Sequence, residues 1–116
     1  MIPSGVQIFV AVEPVDMRWS FDRLAGVARE RIGYDARGGA LFIYFGKRRD
    51  ALKLLFFDGS GMCLFYKRLD RGQFRELGPL SPGARHIEID DATLDALLDG
   101  VEVEAVRTRA KKPRVH

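Results

Sequence analysis

The sequence predicts a single α+β domain: a mostly antiparallel sheet built around a central β-hairpin, with two helices packed on it. Three observations carry this. Residues 51–66 form two apolar arms on either side of "DGSG", whose glycines allow the positive φ angles that a two-residue hairpin loop demands. Two segments, "WSFDRLAGVARERIG" and "DDATLDALLDG", repeat apolar residues at helical spacing. Finally, 116 residues with 47% hydrophobic and 30% charged side chains suffice for one core without staples.

Taken in order, "VQIFVAVEP" places Val6, Ile8, Val10 and Val12 on one face of a strand that ends at Pro14. The first helix follows. Ser20 is its cap, Trp19 and Leu24 are spaced as a hydrophobic staple, and Gly33 closes it. Its apolar stripe is Phe21, Leu24, Ala25, Ala28 and Ile32. "ALFIYF" is apolar on both faces, as a central strand must be. In the hairpin, a Gly59-Ser60 loop pairs Phe57 with Met62, Leu55 with Leu64 and Lys53 with Tyr66, whereas an Asp58-Gly59 loop shifts every pair. "RGQFRELGPLSPG" is turn-rich and "RHIEI" is a short strand. The second helix is capped by Asp90 and closed by Gly100, and it buries Leu94, Leu97, Leu98 and Val101. The domain spans 1–104, with a basic, flexible tail over 105–116.

Charge is strongly segregated. Residues 46–75 carry eight basic and three acidic groups, residues 76–104 one basic and eight acidic, and residues 105–116 five basic and none acidic. Regional fields therefore exceed what the net +3 suggests.

Enzyme signatures are weak, so no catalytic residues, cofactor or metal are expected. The glycines of "GGAL" and "DGSG" do not lead into a helix as a phosphate-cradling loop does. His86 and His116 lack metal-ligand spacing. Cys63, the lone cysteine, lies in an apolar strand and reads as a buried, inert thiol. Asp16, Asp22, Asp50 and Asp58 would have to converge to hold a nuclease metal, but helix-start and turn positions explain them more simply. No apolar run reaches membrane-spanning length and no secretory signal opens the chain, so the reading is soluble and cytoplasmic.

The open end of the hairpin holds the sharper signal. Lys47, Arg48, Arg49 and Lys53 lie on the incoming arm, and Lys67, Arg68, Arg71 and Arg75 on the outgoing one. Antiparallel pairing brings them to one end, within about 20 Å at the usual strand rise. Phe45, Phe65, Tyr66 and Phe74 lie nearby, with Phe65 read as core. Such a patch, extended by Arg18 and by Lys111 and Lys112 of the tail, suits DNA phosphates with weak sequence preference. Asp91, Asp95 and Asp99 share one face of the second helix and form a candidate dock for a basic partner.

"DMRWSFDRLAGV", "LFIYFGKRRDALKLLFFDGSGMCLFYKRLDRGQF" and "LDALLDGV", in this order, resemble the TnpB-type accessory protein of the insertion-sequence-66 family of bacterial transposable elements. The resemblance covers residues 1–101. It places family-typical residues at Asp16, Met17, Arg18, Phe21, Asp22, Arg48, Arg49, Asp58, Gly59, Lys67, Arg68 and Leu69. Phe56 and Phe57 stand where members often carry tryptophan. The resemblance implies a small protein that assists transposition beside a separate, larger transposase, with no established catalytic residues. The expectation is a non-enzymatic accessory factor that contacts DNA through the basic hairpin. The alternatives are a subunit that docks the transposase without touching DNA, a homodimer formed through the apolar hairpin, and, least favoured, an aspartate-based nuclease.

Overall fold

The computed structural model describes residues 2–77 and 81–99. Five strands form one sheet: β1 (Ile8–Ala11), β2 (Leu41–Phe45), β3 (Ala51–Phe57), β4 (Met62–Arg68) and β5 (His86–Ile89), in the order β4-β3-β2-β1-β5. Only β1 and β2 run parallel, joined by helix α1 (Phe21–Val27). The α+β expectation therefore holds, with a mostly antiparallel sheet and two helices.

The helices lie on opposite faces, which explains why β1 and β2 are apolar on both sides. On one face, Ile8, Val10, Leu41, Ile43, Leu52 and Leu54 pack against Leu94 and Leu97 of α2 (Asp91–Leu98) and against Phe74. On the other, Phe9, Phe42, Tyr44 and Leu55 pack against Leu24, Val27, Ala28 and Ile32. Burying one such Leu or Ile completely stabilises the fold by about 1.5–3 kcal/mol, so this two-faced core dominates the energetics. The Tyr44 hydroxyl, drawn into that core, donates to the Leu24 carbonyl at 2.8 Å. A buried hydroxyl must find such a partner.

The hairpin register is that of the Gly59-Ser60 loop, with Phe57 opposite Met62 and Lys53 opposite Tyr66. Gly59 has φ 99°, and the Asp58 carboxylate accepts from the main-chain N–H groups of Ser60 and Gly61, both at 2.9 Å. Those bonds hold the Asp58 pKa down at about 2. The turn pins the pairing. Helix α2 begins as expected, with Asp90 accepting from Thr93 N at 2.9 Å; Gly100 and Val101 lie outside the described residues.

Helix α1 departs from expectation in three ways. Ser20 occupies the cap position without a side-chain cap bond. Phe21, at the first helical residue, stays 41% exposed, while Val27 takes a buried place in the stripe. The last turn, Ala28–Ile32, widens into a π-helix before Gly33 ends it at φ 87°. The expectations of a buried Cys63 and a core Phe65 also fail. Among the described residues β4 is an edge strand with a neighbour on one side only, and Cys63 is half-buried and Phe65 38% exposed.

One pairing outside the five strands positions the site. Val15, just past β1, bridges in parallel to Gly46, just past β2, and Val15 N donates to Phe45 O at 2.9 Å. The segment before α1 thus lies beside the turn between β2 and β3.

Candidate nucleic-acid interface

The β2–β3 turn is closed by Arg49 N donating to Gly46 O at 3.0 Å, and Arg49 adopts φ 58°, a left-handed conformation rare outside glycine. This places Lys47 and Arg48 at the exposed tip. Gly46 is required by close approach: a Cβ there would stand 2.8 Å from Met17 Cγ. Across from the turn, β4 presents Tyr66 and Arg68 on the same side, two residues apart, as the strand period dictates.

Between these elements lies an open groove of about 590 Å³ lined by Val15, Asp16, Met17, Gly46, Lys47, Arg48, Asp50, Tyr66 and Arg68, among others. The Arg68 guanidinium donates to the Tyr66 hydroxyl at 3.3 Å. The Lys53 ammonium sits 5.2 Å from the Tyr66 ring centroid. On the far wall, both oxygens of Asp16 accept from the Arg18 guanidinium, at 3.0 Å and 2.7 Å. The bonds from Arg18 hold the Asp16 pKa down at about 2.

The single patch of eight cations does not form as drawn from the sequence. Arg49 turns inward, 4.2 Å over the Phe45 ring, and donates to Phe74 O at 3.1 Å and Arg75 O at 2.6 Å. Burial pulls its pKa below the ordinary value, with Glu76 opposing. Lys53 is 8% exposed and donates to Trp19 O at 2.7 Å. Lys67 reaches the opposite face, where its ammonium donates to Leu98 O at the end of α2. Strand alternation is the reason: Lys67 sits opposite Leu52, whose face packs on α2, whereas Lys53 and Arg68 share the α1 side.

What remains together is Lys47, Arg48 and Arg68. Ion pairs join Arg18 to Asp16, and Arg31 and Arg85 to Glu13; Lys47, Arg48 and Arg68 take part in none of these. Arg18 is exposed at the groove's edge with its charge matched by Asp16. Arg71 and Arg75 are exposed on the segment after β4. Lys111 and Lys112, with the rest of the tail, lie outside the described residues. Asp91, Asp95 and Asp99 are all exposed on α2 or at its end, and Asp91 accepts from Gly5 N at 3.3 Å.

The four aspartates weighed for a metal do not converge. Asp16 and Asp50 share the groove, whereas Asp58 is at the hairpin tip and Asp22 is in the first turn of α1. No group of three or more His, Cys, Asp or Glu among the described residues could hold a metal ion. Burial and the Asp58 carboxylate raise the Cys63 thiol pKa, disfavouring the nucleophilic form. Among the described residues, no helix is long and apolar enough to cross a membrane.

Met17, Gly46 and Asp50 as groove walls were not legible in sequence. Gly46 and Asp50 share the β2–β3 turn, and the Val15–Gly46 bridge, a pairing of distant positions that no local pattern encodes, brings Met17 to them.

A family model described as "IS66 Orf2 like protein" matches residues 6–108. The chain is 39% identical over 104 residues, 88% of each chain, to "Uncharacterized protein y4hO" of Sinorhizobium fredii (strain NBRC 101917 / NGR234). It is 32% identical over 108 residues to "Uncharacterized protein y4jC" of the same strain, covering 93% of this chain and 90% of that one. No solved structure matches.

Proposed function

Because the chain belongs to the IS66 Orf2-like family, an insertion-sequence transposition accessory family, we propose that it serves transposition without catalysing it, by holding DNA backbone at the base of the β3–β4 hairpin. The observation that carries this is the grouping of Lys47, Arg48 and Arg68 on one open groove, with no carboxylate among the described residues in an ion pair with any of them. Three such cations repel one another, and phosphate oxygens relieve that repulsion while releasing counterions. Sequence preference would be weak, because α2 exposes Asp91 and Asp95, and the one basic residue of α1, Arg23, lies 4.3 Å over the Trp19 ring.

The test is binding of the full chain to duplex DNA across a salt series. The logarithm of affinity should fall steeply with the logarithm of salt. Replacing Lys47, Arg48 and Arg68 by Gln should flatten the slope by about 0.9 for each phosphate no longer neutralised. Absence of salt-dependent binding would remove this reading. The rival is docking of the element's separate transposase through the acidic face of α2. The exposed Asp91, Asp95 and Asp99 favour it, and substituting them by Asn would then abolish co-purification with the transposase.

A further inference from the structure

We infer that the groove receives an unpaired nucleotide of single-stranded DNA, with its base stacked on Tyr66 and its phosphate held by Lys47, Arg48 and Arg68. This rests on the backbone-binding reading above and names the form of DNA.

Three features exceed what duplex phosphates need. The first is shape. Backbone contact requires cations on a surface, whereas about 590 Å³ of concavity falls within the roughly 300–1,000 Å³ that encloses a small ligand. The second is the ring. Tyr66 is 46% exposed, lines the groove on an edge strand, and is held at its hydroxyl by Arg68. An accessible aromatic beside cations is the combination by which proteins hold unpaired bases, since every base has a π-face. A base within a duplex cannot offer that face. The third is sign. Asp50 shares the groove with the three cations, so its carboxylate would repel a continuous run of phosphates yet can accept from the N–H groups of a base.

The experiment compares a fluorescein-labelled oligothymidine of about 12 nucleotides, near the site size of small single-strand binders, with a duplex of the same length. Full-length protein should bind the single strand more tightly. Both Tyr66→Ala and Tyr66→Leu should weaken single-strand binding about 5- to 150-fold, the range for removing one stacking ring, and weaken duplex binding far less, by no more than loss of the Arg68 bond to the hydroxyl causes. Tyr66→Phe should retain the single-strand affinity, because it keeps the ring. The Leu variant preserves an apolar strand residue, and a urea-unfolding midpoint close to that of the unaltered protein separates loss of stacking from loss of fold. Unchanged single-strand binding in both variants, with salt-dependent binding to both DNAs intact, would overturn the stacking inference and leave the backbone reading standing. An equal weakening on both DNAs would also overturn it. If the unaltered protein binds neither DNA in a salt-dependent way, both readings fall together.

Discussion

At the rim of the hairpin base, Lys47, Arg48 and Arg68 stand around an open groove. A few residues inward, Arg49, Lys53 and Lys67 have turned their charged heads onto the main-chain carbonyls of Phe74, Arg75, Trp19 and Leu98. The two groups have similar chemistry and overlap in sequence, yet one faces solvent and the other closes gaps between elements. Three of these four bonds are partly buried, and a cation bonded to a partly buried carbonyl is held by the fold, since leaving that carbonyl unpaired costs free energy. A cation on the rim has water as its alternative and is free to exchange it for an anion. Position relative to backbone acceptors thus separates the charges that tie elements together from those left facing solvent.

The comparison can be broken most forcefully at Arg49, whose guanidinium donates two charge-assisted bonds to the segment after β4. Arg49→Ala should destabilise the protein by about 3 kcal/mol in urea unfolding, since hydrogen bonds to charged groups contribute about 1.5–3 kcal/mol each and are not fully additive. Its DNA salt slope, measured on the folded fraction, should remain. Lys53→Ala comes next. Removing the bond to Trp19 O should cost about 2 kcal/mol, again with the slope retained. The rim triple Lys47, Arg48 and Arg68 to Gln should do the reverse, leaving stability within about 0.5 kcal/mol as exposed sites do, and lowering the slope. A triple variant that unfolds, or an Arg49 variant without salt dependence, would merge the two groups.

The smallest effect concerns the acidic wall. Asp16 has a folded pKa of about 2, below its ordinary value of 3.8, because the Arg18 guanidinium bonds to its carboxylate. A depressed folded pKa means the pair favours the native state above pH 3.8, and that contribution disappears as pH falls through about 2. The pair is exposed, so the stability change should be slight. Titration of the Asp16 side-chain carbon resonance should show a midpoint near 2, moving up towards 3.8 in Arg18→Ala. A midpoint that ignores Arg18 would remove the pair from the groove wall.

Local chemistry sufficed for the hairpin, because the glycines of "DGSG" admit a tight turn between two apolar arms, but it left two loops and therefore two registers open. The structure selects the Gly59-Ser60 one, with the Asp58 carboxylate bonded to Ser60 N and Gly61 N. Local chemistry sufficed as well for the apolar run of β2, the Asp90 cap and the Gly33 stop, each of which depends on residues within a turn or two. Tertiary structure alone decided that helices cover both faces of the sheet, that β4 is an edge, and that Val15 meets Gly46. It therefore also decided which lysines and arginines were drawn onto carbonyls and which were left around the groove. The physical reason is range. Turn and cap preferences act between neighbours in the chain, whereas a cation's partner depends on which distant carbonyl or carboxylate the packing carries within hydrogen-bond reach.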